Sequence, residues 1–336
     1  MPRVTAAFLA LFLLLSASLY YVFDARPVLS EAGRVEVHIP EGASLSSIAA
    51  TLYDKGVIRS PGAFRIAAKL MRRTRAFYPG NYTLRRGLST VEAIRDLAHA
   101  KAAEITITIP EGLRSDEIVS LLCQKLSLDS LTMTALLTDS VLCALAGEEY
   151  RHLEGTLYPE TYRFLENSDE RIVLTKLVNH FRDNITADML EKAQAMGFSE
   201  IELITFASLV EKETAREDER ALVASVYHNR LEKDMLLNCD PTIIYMLVQR
   251  GEWDGNIRKK HFRIDDPYNS YMYKGLPPGP IANPGLASIL ASLNPAESDY
   301  LYFVGKNDNT GAHDFSKTLR QHINKVNRYQ KRGQKR

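Results

Sequence analysis

Two carboxylic acids stand where an apolar helical pattern runs out. The stretch Ile201-Glu-Leu-Ile-Thr-Phe-Ala-Ser-Leu-Val210 is apolar on nearly every face, which predicts a buried helix, opened by a capping box of Ser199 and Glu202. Glu211, Lys212 and Glu213 follow it directly. Glu211 falls on the face of Ile204, Ala207 and Ser208, and Glu213 lies over Phe206, Leu209 and Val210, so apolar surroundings could enclose either carboxyl. A carboxyl shielded from water holds its proton longer and becomes a general acid near neutral pH. The alternative is that both residues open the charged run 211–220 and simply start a solvated face.

Other chemistries lack their signatures. There is no G-x-S-x-G elbow, no S-x-x-K, no H-E-x-x-H, and no Walker A or Rossmann glycine pattern. The eight histidines are scattered, so neither a metal nor a cofactor is expected. Cys123, Cys143 and Cys239 contain no C-x-x-C pair, although Cys123 and Cys143 could join in an oxidising compartment. Forty-two Lys+Arg against forty-one Asp+Glu leave a formal charge of +1, which gives no field for gathering nucleic acid.

The elements around the two glutamates can be read from periodicity. Helices are expected at about 170–184 and 186–196, and another over 222–231 that ends in Tyr227-His228-Asn229-Arg230. Between 236 and 285 regular periodicity stops, and Cys239-Asp-Pro-Thr242, Pro267-Tyr-Asn-Ser-Tyr-Met-Tyr273 and Gly275-Leu-Pro-Pro-Gly-Pro-Ile-Ala-Asn-Pro-Gly285 follow one another. A long irregular stretch inside a compact domain is usually functional. Tyr268, Tyr271 and Tyr273 offer broad rings with polar tips that suit a sugar, or could serve as core and rim aromatics. A short helix (288–293), strands at 300–304 and 313–315, and a final helix complete the pattern; six Lys/Arg from Lys325 onward form a solvated tail.

The first half reads differently. Positions 4–23 carry no charge, and twenty helical residues span roughly 30 Å, the thickness of a bilayer core. Arg3 before the segment and Tyr20 and Tyr21 at its end favour a membrane anchor with a short cytoplasmic N-terminus and an external body; Ser16-Ala17-Ser18 keeps a cleaved signal peptide as the rival. Next comes a repeat: Val35-Glu-Val-His-Ile-Pro-Glu-Gly42 returns as Ile105-Thr-Ile-Thr-Ile-Pro-Glu-Gly112, each a strand, a break and then a helical pattern, with Ser44 and Ser115 placed as caps. Tyr82 to Arg95 is a weaker third unit. Such units either bind a polymer through their turns or space the next domain from the membrane. A helical stretch over 131–146 leads to Leu153-Glu-Gly-Thr-Leu-Tyr-Pro-Glu-Thr-Tyr162, where the main domain boundary is expected, near 150.

Several of these blocks resemble a known family. Ala207-Ser-Leu-Val-Glu-Lys-Glu-Thr214, Val223-Ala-Ser-Val-Tyr-His-Asn-Arg-Leu231, Asp240-Pro-Thr-Ile-Ile-Tyr245, Tyr268-Asn-Ser-Tyr271, Gly275-Leu-Pro-Pro-Gly-Pro-Ile281, Asn283-Pro-Gly285 and Tyr300-Leu-Tyr-Phe-Val304 are similar, in order, to the signature blocks of the MltG (YceG-like) endolytic murein transglycosylases. The resemblance implies an α+β chain: residues 1–3 cytoplasmic, a transmembrane helix at 4–23, a LysM-like repeat region at 24–149, a catalytic domain at 150–330 and a basic tail at 331–336. It implies cleavage of the β-1,4 bond between N-acetylmuramic acid and N-acetylglucosamine within peptidoglycan strands, leaving a 1,6-anhydro end. The motif places the single acid at Glu211. Glu213, Asn229, Asp240, Asn269 and Tyr271 fall in the same blocks as candidates for holding substrate. Peptidoglycan, and with it the synthases that make it, would be the partners, at the extracytoplasmic face of the cell membrane. Cys239 departs from the pattern, since a small polar residue is expected there. A non-catalytic wall-binding scaffold, or a hydrolase using Glu213 or Asp240 as a second carboxylate, are the competing readings.

Overall fold

A computed structural model describes residues 33–40, 42–73, 77–99, 104–165 and 168–329, with Ser16, Ser18, Tyr20 and Phe23 as isolated helical positions. The rest of the expected membrane segment 4–23, the residues before it and the tail at 331–336 lie outside the described residues. Among the described residues no helix is long and apolar enough to cross a membrane. The α+β class holds, with thirteen α-helices and three two-stranded antiparallel or paired ladders among them.

The chain divides into two compact units, residues 1–106 with 163–168, and residues 107–162 with 169–336. In the first, strand β1 (Arg34–Ile39) is followed by helices α1 (Leu45–Asp54) and α2 (Pro61–Leu70), strand β2 (Gly80–Arg85) and helix α3 (Thr90–His99). Period-2 alternation turns Val37 and Ile39 of β1 and Tyr82 and Leu84 of β2 inward, and the strands pair antiparallel from Arg34 with Arg85 to Ile39 with Gly80. Ile48 and Leu52 of α1, Phe64 of α2 and Ile94 and Leu97 of α3 close the core over them. Ser44 caps α1 as expected, accepting the amide of Ser47 at 3.1 Å.

The second unit opens where strand β3 (Glu104–Thr108) leads into helices α4 (Ser115–Leu126), α5 (Ser130–Leu136) and α6 (Ser140–Ala146). Strand β4 (Thr161–Leu165) pairs with β3. Helices α7 (Glu170–Asn184), α8 (Ala187–Ala195), α9 (Glu200–Glu213), α10 (Glu217–Glu232), α11 (Asp240–Gln249) and α12 (Leu286–Leu293) follow, then the hairpin of β5 (Tyr302–Gly305) and β6 (His313–Ser316), and helix α13 (Leu319–Tyr329). α9 is the buried helix that the sequence predicts. Every residue from Leu203 to Val210 is buried, Ser199 and Glu202 form the capping box, and α8, α10, α11 and α12 pack around it.

Four expectations need correcting. The compact units change over near 107, not near 150, because α6 packs on α7 and the second repeat copy joins the C-terminal body. The two copies therefore do not form one repeat region. Ser115 is not a cap but the first residue of α4, and its amide and hydroxyl both reach the Glu154 carboxylate, at 2.9 and 3.1 Å. Lastly, α11 interrupts the supposedly irregular stretch 236–285. Pro241 sits in its first turn, where a missing amide costs nothing, so the Asp-Pro reads as a helix start rather than a loop. All three cysteines are free thiols, so Cys123 and Cys143 are not joined.

Candidate active site

Glu213, in the last turn of α9, lines a cavity of about 440 Å³ together with Arg230, Asp240, Tyr271, His313 and Tyr302. Its carboxylate accepts the Tyr227 hydroxyl at 2.6 Å. Burial pushes the Glu213 carboxyl above its ordinary range, and nearby Asp240 pushes the same way; the bonds from Tyr227 and Cys239 and the proximity of His313 pull back without cancelling it. Asp240, at the start of α11, accepts the Tyr271 hydroxyl. A carboxyl of raised proton affinity and a second carboxylate thus face one polar space.

The walls of this cavity are tied by backbone-directed bonds. Arg230 is buried, donates to the carbonyls of Leu301 and Leu237 at 2.6 Å each, and places its guanidinium 5.1 Å from the centre of the Tyr302 ring. Burial draws its pKa down, as it does for any desolvated cation. His313 is held by Glu219: Nδ1 lies 2.8 Å from the carboxylate, which also accepts the His313 amide at 3.0 Å. Tyr227 and Arg230 lie three residues apart, on one face of α10, so their pairing is a helical repeat that the sequence displays. His313, His322 and Asn238 reach the cavity only through the fold.

Glu211 occupies a different place. It does not line the cavity, its side chain is only 7% exposed, and its carboxylate accepts the Ser288 hydroxyl at 2.7 Å and the Gly285 amide at 3.1 Å. These are the first groups of α12, so Glu211 caps that helix from outside, with its charge at the positive end of the dipole. Arg220 reaches both Glu111, at 3.5 Å, and Glu211, at 4.0 Å. Burial and the neighbouring Glu211 raise the pKa of Glu111, and Arg220 opposes them. The turn that carries Glu111 is the second copy of the repeated Pro-Glu-Gly. Gly112 has φ of +75°, and a Cβ there would stand 3.3 Å from Cγ of Glu211, so glycine answers both the backbone and the space. Lys212 donates to its carbonyl at 2.8 Å.

Two other expected substrate residues are structural. Asn229 donates to the carbonyls of Ser298 and Tyr300, at 2.8 and 2.9 Å, which ties α10 to the strand region. Asn269 is wholly buried, donates to the Ile264 carbonyl at 2.8 Å and accepts the Tyr271 amide at 3.1 Å, which shapes the loop that presents Tyr271. The fold thus brings Glu213, Asp240 and Tyr271 together and leaves Glu211, Asn229 and Asn269 outside.

The tyrosines divide in the same manner. The Tyr268 and Tyr245 rings lie tilted against each other, 4.9 Å between centres, in a second cavity of about 620 Å³, whose wall includes Glu154, His152 and Pro280. Tyr273 is 45% exposed and bonds Asp265. Glu154 is buried, accepts Ser115 and Asn283 at 2.9 to 3.1 Å, and is pushed up by burial to about 7. Gly155 beside it has φ of +86°, and a Cβ would stand 2.6 Å from the Pro280 ring, so the proline-rich loop lies directly on this turn.

A polar cavity built around one carboxyl raised by burial, with a second carboxyl and tyrosine hydroxyls beside it, has the groups that general-acid chemistry needs. The sequence profile of the YceG-like family matches residues 37–328. The endolytic murein transglycosylase of Bacillus subtilis (strain 168) is 32% identical over 314 residues, which cover 88% of this chain and 84% of that protein. The endolytic murein transglycosylase of Streptococcus pneumoniae serotype 2 is also 32% identical, over 89% of this chain; the chain spans 60% of that protein's length. The 2.6 Å crystal structure of a YceG-like protein from Listeria monocytogenes superposes with a TM-score of 0.59 at 33% identity, covering 88% of this chain and 99% of that one. The chain belongs to the YceG-like family.

Proposed function

We propose that this chain is an endolytic murein transglycosylase that cuts the β-1,4 bond between N-acetylmuramic acid and N-acetylglucosamine within peptidoglycan strands, and that Glu213 is its acid. The observation that carries the assignment is the cavity: of the two glutamates ending α9, Glu213 lines it with a carboxyl raised by burial, whereas Glu211 is bound at the α12 N-terminus. The names of the bacterial relatives supply the substrate class.

In this reading protonated Glu213 gives its proton to the glycosidic oxygen as the bond to C1 of the muramic residue breaks. The C6 hydroxyl of the same sugar attacks C1, its proton passes to the Glu213 carboxylate, and the 1,6-anhydro end forms with the acid restored. Tyr227 holds the carboxylate during the interval. Asp240, fixed by Tyr271, faces the positive charge that gathers on the ring in an oxocarbenium-like transition state. Segment 4–23 would anchor the chain in the cell membrane, with the described body on the extracytoplasmic side, near peptidoglycan synthases and their nascent strands. The strand and helix order of the first unit suits a LysM-like module for glycan.

Mass spectrometry of uncross-linked strands incubated with the chain tests this. Internal cuts ending in anhydromuramic acid, lost in Glu213→Gln and retained in Glu211→Gln, are expected; the reverse pattern would move the acid to Glu211. Asp240 in the same cavity favours one second reading, hydrolysis, which requires two carboxyls and gives products heavier by one water. Intact strands with every variant would leave a wall-binding scaffold.

A further inference from the structure

Charge is balanced over the whole chain and one-sided in one stretch. From Lys55 to Val91 the sequence holds nine Lys/Arg and no Asp or Glu. Helix α2 of the first compact unit lies in that stretch. It buries Ala63, Phe64, Ala67 and Ala68 against the core and turns Arg65, Ile66, Lys69 and Leu70 to water. Arg65 and Lys69 are four residues apart, as are Ile66 and Leu70, so the exposed face carries a basic row beside an aliphatic one. Ile66 is 51% exposed and Leu70 65%. Arg72 and Arg73, also exposed, follow directly after the helix. Phe77 packs on Phe64, 5.5 Å between ring centres, which brings the exposed Tyr78 back beside α2. Among the described residues none of the four cations pairs with a carboxylate; Arg65 donates to Ser46 Oγ at 3.3 Å.

We propose that this face of α2 docks on the membrane that holds segment 4–23, with Ile66, Leu70 and Tyr78 entering the headgroup layer and Arg65, Lys69, Arg72 and Arg73 meeting the phosphates of anionic lipids. This rests on the reading of 4–23 as an anchor. Chain continuity is the first argument for the occupant. Phe23, the last residue of the uncharged segment, packs on the core of the same unit, so the unit begins where the apolar segment ends. A body of roughly seventy folded residues has a radius of gyration of only about 11 Å, so a unit held there stays within reach of the lipid surface. Composition is the second argument. Cations that meet phosphate, aliphatic side chains that enter the acyl boundary and a tyrosine at headgroup level are what a surface lying in a bilayer interface needs. A glycan strand offers hydroxyls and no apolar phase for Ile66 and Leu70. Docked, the first unit has one orientation on the membrane instead of turning about its tether.

The test uses the full chain reconstituted with vesicles. Trp253 is the sole tryptophan, so a Trp253→Phe background leaves room for one reporter. It is placed at Leu70→Trp or, as a control on the outward face of the β1–β2 ladder, at Thr83→Trp. The vesicles carry brominated acyl chains and consist of phosphatidylcholine alone or of an equal mixture with phosphatidylglycerol. In the mixed vesicles, bromine quenching at Leu70→Trp should exceed that at Thr83→Trp by at least about twofold. It should fall toward the Thr83→Trp level in phosphatidylcholine alone, in high salt, and when Arg65→Gln, Lys69→Gln, Arg72→Gln and Arg73→Gln are combined. The lipid and salt arms keep the basic row intact, so they decide even where the fourfold variant does not fold. Equal quenching at the two positions, or quenching at Leu70→Trp that ignores lipid charge and salt, would overturn the proposal. So would Leu70→Trp emission that responds to added glycan strands and not to brominated lipid, which would give the face to glycan. Flotation separates this proposal from the anchor. A chain that floats with phosphatidylcholine vesicles but quenches equally at both positions keeps its anchor and loses the docking face. A chain that floats only with the mixed vesicles, with Leu70→Trp quenched, keeps the docking face and loses the anchor.

Discussion

Glu211 and Glu213 stand two residues apart on α9 and meet different surroundings: Glu211 fastens the N-terminus of α12 through Ser288 and Gly285, while Glu213 opens into the cavity shared with Asp240. Two residues are about 200° of helix, so one turn can meet a packed neighbour on one side and a cleft on the other. Their substitutions should separate accordingly. Glu213→Gln is expected to lower kcat by about 10²–10⁴, the range of a general acid, with the melting temperature little changed. Glu211→Gln should retain measurable turnover and lose about 1–2 kcal/mol of stability, from weakened charge-assisted bonds to Ser288 and Gly285. Product assays beside thermal unfolding check both.

Glu154 makes stability depend on pH. Its folded pKa, about 7, lies above the ordinary value of 4.5, so between those limits the native state binds more protons than the unfolded one. The sign follows: stability is greatest below pH 4.5 as far as this group is concerned, and falls as pH rises toward 7, by up to about 3 kcal/mol. The raised carboxyls of Glu111 and Glu213 act in the same direction. Denaturant unfolding at pH 5 and pH 8 should therefore show a clear loss in the wild type and a smaller one in Glu154→Gln, whose amide oxygen can still accept the Ser115 amide. Equal losses in the two proteins would remove Glu154 as the cause.

The legible parts of the fold were those with a period. The capping box and apolar faces gave α9, and alternation with a Pro-Glu-Gly break gave β1 and β3. α11 was hidden because Asp240-Pro241 reads equally as a turn and as a first helical turn, and only packing against α9 decides. The choice between Glu211 and Glu213 was illegible for a related reason. Both faces of α9 are apolar up to Val210, and what each carboxylate meets comes from other elements: Tyr227, fourteen positions on, for Glu213, and Gly285 and Ser288, more than seventy positions on, for Glu211. Asn229 and Asn269 resembled site residues because their bonds hold backbone, a role that any polar side chain in a signature block can fill.

Asp240 and Tyr271 decide between lysis and hydrolysis. The Tyr271 hydroxyl is bound to Asp240, and Asp240 in turn raises the proton affinity of Glu213. In a lyase Asp240 only faces charge, so Asp240→Asn should slow turnover by roughly tenfold to a hundredfold and still leave anhydro ends. A hydrolase that used Asp240 to activate water would lose its products altogether. Tyr271→Phe should resemble a mild form of Asp240→Asn, and its kcat/KM profile should show the descending limb moved, because the freed Asp240 carboxylate acts more strongly on Glu213. The masses of the products and the position of that limb are the two measurements.

Arg220 lies between two carboxylates, Glu111 and Glu211, and is itself mostly buried, 12% exposed. Removing it should cost more than the loss of two long ion pairs would suggest, because two acids then face each other without a cation. Arg220→Met is expected to lower stability by about 1–3 kcal/mol near neutral pH. The loss should shrink at pH 5, where Glu111, already raised by burial and by Glu211, takes up a proton more readily. A second substitution, Glu111→Gln, should restore part of the stability in the Arg220→Met background and none in the wild type, a coupling that a double-mutant cycle in denaturant unfolding measures directly. Additive effects would mean that Glu111 is held by its turn rather than by Arg220. The site would then depend on the repeated Pro-Glu-Gly for shape alone.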